Sequence, residues 1–325
     1  MNHNTTRRTA LTTLALAAMA QPSLSLAQAD RPVKFILPNA TGSGIDAITR
    51  AAAPALGKAL GTSVVVDNQA GAGGLVGLQA LSKTAPDGLT LSVVSNNVVI
   101  FPSVMKSLPF DMPGDFTPIA MVGSTPMILV VNPQKVAASN SRELIAALKA
   151  KPDGYNYGSG GSGTILHLAC EMFVDEAKVS ARHIPYKGVG PMVTDLLGGQ
   201  IDFAVLALPS IQSHIKSGAL RAIGVCSEKR TPAAPDIPTF AEQGLVGFTV
   251  EGWFAVVGPK GMVPAQVKKV HEAVVAAFSD PAVKDAMAKQ GNTINISSPE
   301  QALKSFRAEL VKYAALVKKA GIEPQ

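Results

Sequence analysis

Aromatic residues and cysteines are scarce in this chain of 325 residues. It has four Tyr, one Trp and two Cys, and no run of Lys and Arg concentrates its positive charge. Nucleic-acid-binding chains typically carry a basic stripe interleaved with aromatic residues, so this composition argues against such a partner. Two cysteines are too few for a disulfide framework. Cys170 and Cys226 are compatible either with one bridge or with two buried free thiols.

A hydrophobic run long enough to cross a bilayer is also missing from the N-terminal region. Arg7 and Arg8 precede an apolar run at residues 10–20, and the next polar stretch closes on Ala27-Gln28-Ala29. A span needs about 20 apolar residues. A charged start, a short apolar core and a small-x-small exit are instead typical of a cleaved export signal. We therefore predict a signal peptide at residues 1–29 and a soluble, periplasmic mature chain, with the general and twin-arginine routes both open.

Residues 30–325 would carry 27 Lys and Arg against 23 Asp and Glu, a mild net charge of +4. This length exceeds a single typical domain, so two domains are expected. Within it, short apolar or β-branched runs alternate with longer helical patterns, which predicts an α/β fold of βαβ units around parallel sheets. Predicted strands occupy 33–37, 64–66, 89–94, 128–131, 201–206, 219–225 and 248–257. Predicted helices include 45–60, 141–149, 165–177, 263–278 and a final helix that Ser298 caps.

Two glycine-rich loops each stand between a predicted strand and a predicted helix. The first reads PNATGSGID at residues 38–46, and the second reads NYGSGGSGT at residues 156–164. Free backbone N–H groups at the start of a helix form a site for an anion. We therefore expect two loops, one from each domain, to close on a negatively charged ligand.

Catalytic and cofactor motifs are incomplete. The P-loop-like stretch at 77–84 lacks its second Gly, and the glycines at 71–77 have the wrong spacing for a dinucleotide fingerprint. No G-x-S-x-G elbow is present. His167 and Glu171 have a metal-ligand spacing, but the third ligand is missing. We predict no catalytic residue, no base–nucleophile pair, no metal and no cofactor.

An ordered set of segments across almost the whole mature chain carries a family resemblance. The segments are PNATGSGIDAITR (38–50), VDNQAGAGG (66–74), APDGLTL (85–91), YGSGGSGTILHLACE (157–171), HIPYKG (183–188), DLLGGQID (195–202), PDIPTFAEQG (235–244) and Trp253. Together they resemble the Bug-type extracytoplasmic substrate-binding receptors of the tripartite tricarboxylate transporter system. The first loop departs from the family in having no aromatic residue.

This resemblance implies a two-domain periplasmic-binding-protein fold with a hinge cleft and no cofactor. It implies a small carboxylate as ligand, held mainly by backbone groups, hydroxyls and ordered water, and membrane transporter subunits as partners of a monomer. We place domain I at 30–130 and 253–325 and domain II at 131–252. The first loop and the strand end beside it supply the predicted ligand-binding residues Thr41, Gly42, Ser43, Asp46, Ser95 and Asn96. The second part supplies Ser159, Gly161, Ser162, Gly163, Thr164, His167, Tyr186 and Asp202.

The predicted function is therefore a non-enzymatic receptor for a di- or tricarboxylate, an acidic amino acid or an aromatic acid. Asp46 could hydrogen-bond the ammonium of an amino acid, or could only complement the dipole of its helix. An exported sensor subunit for the same ligands needs the same cleft and stays open as an alternative. A hydrolase or lyase that acts on carboxylates is the third reading, and the missing base–nucleophile pair argues against it.

Overall fold

The computed structural model describes residues 31–324. The predicted signal peptide at 1–29, and with it the export route, lies outside the described residues. Within 31–324, no helix combines the length and the hydrophobicity that a membrane crossing requires. Cys170 and Cys226 are buried free thiols, so the bridge that the sequence left open is not formed.

Ten strands carry the fold within residues 31–324, and most of them coincide with the apolar runs of the sequence. They are β1 (Val33–Leu37), β2 (Val64–Asn68), β3 (Thr90–Ser95), β4 (Phe116–Val131), β5 (Asn156–Ser159), β6 (Arg182–Pro185), β7 (Phe203–Ala207), β8 (Arg221–Val225), β9 (Glu251–Pro259) and β10 (Thr293–Ile294).

In the same described part of the chain, ten α-helices alternate with these strands. They are α1 (Gly44–Leu60), α2 (Leu75–Ser82), α3 (Asn97–Val104), α4 (Ser141–Ala150), α5 (Ile165–Ala177), α6 (Val189–Leu197), α7 (Leu208–Lys216), α8 (Pro264–Ser279), α9 (Pro281–Lys289) and α10 (Pro299–Lys319). The predicted start of α10 is confirmed, because Ser298 Oγ accepts a hydrogen bond from the Gln301 backbone N–H at 3.2 Å.

The strands form a mixed sheet, which corrects the prediction of parallel sheets. Its order is β2-β1-β3-β9-β4-β7-β5-β6, with β8 and β10 also paired to β4. The first three strands of this order pair in parallel, and so do the last three. The strands β4 and β9 lie between the two parallel sets and pair antiparallel with their neighbours. The hydrophobic pattern of the sequence could not reveal the antiparallel pairing of β4 and β9, because these two strands come from distant parts of the chain.

Strand β4 belongs to both halves of the sheet. Its residues 116–126 pair with β9, and its residues 127–131 pair with β7 and β8. The sequence predicted only the end of this strand, because two prolines and a glycine interrupt its first part. The pairing register shifts between Pro118 and Ala120 and again between Met121 and Gly123, and bulges of this kind accommodate proline in a strand. The domain boundaries at 130 and 253 stay a prediction.

Asn96 ties the end of β3 to β9 and to the last helix. It is fully buried, and its Oδ1 accepts a hydrogen bond from the Trp253 backbone N–H at 2.9 Å. Its Nδ2 donates to the Glu251 carbonyl at 3.2 Å and lies 2.6 Å from the Tyr313 hydroxyl oxygen. All polar atoms of this side chain therefore have partners inside the protein, although the sequence assigned Asn96 to the ligand.

We expect Asn96→Ala to lower the free energy of unfolding by about 2–4 kcal/mol, because it leaves several buried polar groups without partners. Urea denaturation of the purified protein measures this. Tyr313→Phe is the matched variant, since it removes a single one of these contacts and should cost about 1 kcal/mol. Equal stability of Asn96→Ala and the unmodified protein would show that Asn96 does not hold these elements together.

Candidate functional site

A cleft lies where the loops that follow β1, β2, β3, β5, β6 and β7 meet. In α/β folds, ligands bind outside the carboxyl ends of the strands, and all six loops leave such ends. The cleft encloses about 730 Å³, including the part that opens to solvent. Its lining residues are Pro38, Asn39, Ala40, Ser43, Gly44, Ile45, Ala70, Gly71, Gly73, Gly74, Ser95, Asn96, Asn97, Thr125, Met127, Gly160, Thr164, Ile165, Leu166, Lys187, Gly188, Val189, Ala207, Ser210, Gly252 and Trp253.

The loop after β1 forms part of the first wall, which we define as the lining residues at positions 38–45, 70–74 and 95–97. Ser43 caps α1, since its Oγ accepts from the Asp46 backbone N–H at 3.2 Å. Asp46 Oδ2 accepts from the Gly42 N–H at 3.0 Å, and its Oδ1 accepts from Arg50 Nε at 2.8 Å. Asn68 Nδ2 also donates to that Oδ1 at 3.0 Å. Through these hydrogen bonds Asp46 fixes the conformation of the loop, and it does not line the cleft. The suggested contact between Asp46 and a ligand ammonium therefore has no support in this geometry.

The loop after β5 leads the second wall, defined as the lining residues at positions 160–166, 187–189 and 207–210. Thr164 caps α5 by accepting from the His167 N–H at 3.4 Å. Its hydroxyl also donates to the Gly161 carbonyl at 2.7 Å, which folds the loop back on itself. Gly163 has a φ of +74°, a conformation that favours glycine, and a Cβ there would lie 2.3 Å from Val104.

The two walls touch each other across the cleft. Asn97 Oδ1 accepts from the Ile165 N–H at 2.9 Å, and its Nδ2 donates to the Gly73 carbonyl at 3.1 Å. A Cβ at Gly44 would lie 3.0 Å from the Ala207 Cβ, so these positions require small residues. The lining residues Thr125, Met127, Gly252 and Trp253 come from β4 and β9, the strands that join the two halves, and we call them the floor.

Six helices begin at this cleft. The first residues of α1, α3, α5 and α6 line it, and so do Gly74 and Ala207, the N-caps of α2 and α7. The unpaired N–H groups and the dipole of a helix make its N-terminus attractive to anions. Among the lining residues only Lys187 is charged, and none is acidic. The electrostatic field of the cleft therefore favours a negatively charged ligand.

A cluster of polar rings is packed beneath the second loop. The rings of His167 and His183 stack with centroids 3.9 Å apart, and the Tyr157 ring stacks on His183 at 5.0 Å. His167 Nδ1 accepts from the Gly163 N–H at 3.2 Å, and the Tyr157 hydroxyl donates to Glu171 Oε1. The cluster thus fixes the backbone of the loop through one of its glycines.

Burial, followed by the neighbouring His167 ring, lowers the pKa of His183 to about 4. Burial alone would raise the pKa of the Glu171 carboxyl, but hydrogen bonds from His167 and Tyr157 outweigh it and lower that pKa. At neutral pH the cluster therefore contains an ionised Glu171 beneath a neutral His183.

Ser159 and His183 form a pair that the sequence analysis did not expect. Ser159 Oγ lies 2.6 Å from His183 Nε2, a distance typical of a nucleophile and its base. Ser159 is fully buried, however, and does not line the cleft. A base whose pKa is about 4 also draws a proton weakly at neutral pH. The pair supports the loop and is not arranged for catalysis.

Four of the fourteen predicted ligand-binding residues line the cleft: Ser43, Ser95, Asn96 and Thr164. The other ten lie outside the lining: Thr41, Gly42, Asp46, Ser159, Gly161, Ser162, Gly163, His167, Tyr186 and Asp202. Asp202 precedes β7, at the end of the strand opposite the cleft, and accepts from the Asn156 N–H at 2.7 Å. The Tyr186 hydroxyl donates to Asp195 at 2.8 Å. Their contacts are structural, and whether any of the fourteen touches a ligand stays a prediction.

Several lining residues were not predicted from the sequence. Among them, Lys187 follows the predicted Tyr186, and Ser210 lies just after the end of β7. The rule that picked out Ser95, that ligands bind beyond the carboxyl ends of strands, would also have found Ser210. Trp253 is buried in the core, packs on Phe306 with ring centroids 5.4 Å apart, and also lines the cleft. Within 31–324, no three His, Cys, Asp or Glu side chains are grouped to hold a metal.

The stability of the folded chain should fall as the pH drops from about 6.5, the ordinary pKa of histidine, towards 4. His183 resists protonation in the folded state but accepts a proton when unfolded, so acid favours unfolding across this window. Urea denaturation at several pH values measures the slope of the unfolding free energy against pH. His183→Gln should lower this slope by the equivalent of up to one proton taken up on unfolding. Val311→Ala, at an exposed position, should leave the slope unchanged. An unchanged slope in His183→Gln would contradict the assignment.

The chain matches known proteins over nearly its full length. The model of the family described as tripartite tricarboxylate transporter family receptor matches residues 48–322. Protein BugT of Bordetella pertussis (strain Tohama I) is 36% identical over 310 residues, which cover 95% of each chain.

Solved structures share the fold. The periplasmic binding protein BugD is 32% identical with a TM-score of 0.87, over 91% of this chain and 99% of that one. R. palustris Rpa4515, solved with adipate, is 27% identical with a TM-score of 0.87 over the same shares of the two chains. These matches confirm the predicted two-domain periplasmic-binding-protein fold. Together with the family match across residues 48–322, they show that this chain belongs to the receptors of the tripartite tricarboxylate transporter family.

Proposed function

We propose that this receptor binds a small carboxylate in the cleft between its two walls and delivers it to membrane transporter subunits from the periplasm. The observation that carries the proposal is the convergence of six helix N-termini on a cleft whose lining contains Lys187 and no acidic side chain. Such a site stabilises an anion without a buried unpaired cation. The adipate bound to the related Rpa4515 supports a carboxylate as the ligand class.

The carboxylate lies between Ser43 on the first wall and the start of α5 on the second wall, where the Thr164 hydroxyl caps the helix and already donates to the Gly161 carbonyl. Ser43 Oγ already accepts a hydrogen bond from Asp46, so its hydroxyl hydrogen is the part that serves the ligand. Amino acids are disfavoured ligands, since the lining contains no carboxylate for their ammonium group.

Ligand binding favours a closed form in which the two walls meet. The short approaches of Gly44 to Ala207 and of Asn97 to Ile165 belong to that form. Strands β4 and β9 act as the hinge, because they connect the two parallel sets of strands. The membrane subunits recognise the closed form, so that only a loaded receptor delivers its ligand.

Removing the positive charge of the lining should weaken carboxylate binding. Lys187 is exposed, so its attraction is screened, and Lys187→Met should raise the Kd of adipate by about two- to fivefold at low salt. Isothermal titration calorimetry measures this, and the loss should shrink as salt is added. The exposed Lys149→Met on α4 is the control. If no small carboxylate binds the unmodified protein, the proposed function is wrong.

Crowding the contact between the walls should oppose closure. Gly44→Ala places a methyl group 3.0 Å from the Ala207 Cβ, and overpacking of this kind costs about 1–3 kcal/mol. We expect the Kd of adipate to rise at least about fivefold. The melting temperature without ligand should hold or rise, since alanine suits a helix better than glycine.

Gly198→Ala is the control, because its Cβ would make only ordinary contacts, the nearest 3.4 Å from the Thr194 carbonyl oxygen. An unchanged affinity in Gly44→Ala would count against closure by this approach.

A further inference from the structure

A buried acceptor on the first wall has no partner in the protein. Asn39 lines the cleft, and its Oδ1 is buried without a hydrogen bond within residues 31–324. Buried polar groups are nearly always hydrogen-bonded, so an unpartnered atom on the wall of a cleft points to a ligand. The oxygen of a carboxamide only accepts hydrogen bonds. The group that satisfies Asn39 Oδ1 must therefore donate, and an ionised carboxylate has no hydrogen to give.

Residues that do not line the cleft hold Asn39 in place. Its backbone carbonyl accepts a hydrogen bond from Asn68 Nδ2 at 3.0 Å, and Arg50 Nη2 donates to Asn68 Oδ1 at 2.8 Å. Gly77 is packed so closely on the preceding residue that a Cβ there would lie 2.8 Å from the Pro38 Cα. The backbone of Asn39 is thus fixed before a ligand arrives, and preorganisation of this kind lowers the entropy that binding costs.

Asn39 and Ser95 stand at the ends of two neighbouring strands. Strands β1 and β3 pair in parallel, with Phe35 opposite Leu91. Continuing this register by four residues brings Asn39 level with Ser95. Both residues line the cleft, and together they offer it one acceptor and one hydroxyl that can donate or accept.

Asn39 and Ser95 also line a recess that adjoins the cleft and encloses about 180 Å³, including its open part. None of the residues that line this recess is charged. A ligand hydroxyl at this place can donate to Asn39 Oδ1 and accept from the Ser95 hydroxyl, whereas an ionised group would meet an acceptor and an apolar wall. The lining residues that the recess does not share with the cleft are all apolar: Leu78, Val94, Val98 and Phe101.

We propose that Asn39 and Ser95 form a hydroxyl subsite that determines specificity, so that the ligand is a 2-hydroxycarboxylate. The proposal rests on the proposed function, which places the carboxylate between Ser43 and the start of α5. Asn39 immediately precedes the turn that carries Ser43, in which the Ser43 N–H donates to the Ala40 carbonyl at 3.1 Å. This closeness places the hydroxyl on the carbon next to the carboxylate. Family membership does not supply the subsite, since the first loop departs from the family in having no aromatic residue.

The test is isothermal titration calorimetry of the purified mature chain with three matched pairs of acids: malate and succinate, lactate and propanoate, and mandelate and phenylacetate. Both enantiomers of each hydroxy acid are used. In every pair that binds, we expect one enantiomer of the hydroxy acid to bind at least about tenfold more tightly than its parent acid. The reason is that a site with buried groups arranged for a hydroxyl rejects an analogue that lacks it.

Three variants separate the roles of the two side chains. Asn39→Leu removes the carboxamide at similar size and should abolish most of the preference, while the affinity for the parent acid changes less than about twofold. Asn39→Asp keeps an oxygen acceptor at the same place, so it should weaken all acids by charge repulsion but retain the preference for the hydroxy acid. Ser95→Ala should lower the preference by about two- to tenfold.

Ser92→Ala is the matched control for Ser95→Ala. Ser92 lies on the same strand, and its Oγ is buried and unpartnered within residues 31–324, but it lines neither the cleft nor the recess. Its preference for the hydroxy acid should equal that of the unmodified protein. Asn39→Leu and Ser92→Ala delete unpartnered polar atoms, so their melting temperatures without ligand should not fall, and thermal unfolding verifies that every variant folds.

The outcomes separate the two proposals. Equal affinities within the pairs, or tighter binding of the parent acids, overturn the hydroxyl subsite and leave the proposed function standing. A preference that survives in Asn39→Leu or disappears in Asn39→Asp also overturns it, because Asn39 Oδ1 would then not be the acceptor. If none of the six acids binds while adipate does, the subsite alone is wrong. If adipate fails as well, the proposed function falls with it.

Discussion

The N-terminus of an α-helix leaves backbone N–H groups without intrahelical partners, and this constraint shapes the cleft. Each strand that enters it is followed by a loop and then by a helix, so the helices begin at the same sheet edge. Six such starts meet around one space whose lining contains a single charged side chain. The attraction for an anion therefore comes mainly from the backbone, which explains how so few side chains can serve a charged ligand.

A loop that offers its backbone to a ligand must itself be held in place. Beneath the loop after β5, His167 accepts from the Gly163 N–H, while Glu171 and Tyr157 close the cluster on the other side. On the opposite wall, Asp46 supports the loop after β1, since its carboxylate accepts hydrogen bonds from Gly42, Arg50 and Asn68. Residues that look reactive in the sequence thus act as supports, one layer away from the cleft.

Strands β4 and β9 connect the two halves of the sheet and also form the floor of the cleft. They lie between the two parallel sets of strands, and β4 pairs first with β9 and then with β7 and β8. Thr125 lies near this change of partners, with its hydroxyl unpaired. In the same region Asn96 accepts a hydrogen bond from the Trp253 backbone N–H, which ties this floor residue to the end of β3.

The sequence by itself determined the alternation of strands and helices, the two glycine-rich loops, the cap Ser298, and the family. These features are local or ordered along the chain, so spacing and residue type reveal them. Only the tertiary structure decided which groups face the cleft. It turned Asp46, His167 and Asp202 away from the cleft and brought in Thr125, Lys187 and Ser210. The reason is physical: the direction of a side chain at a strand end depends on partners that lie far away in the sequence, and a single sequence contains no record of those pairings.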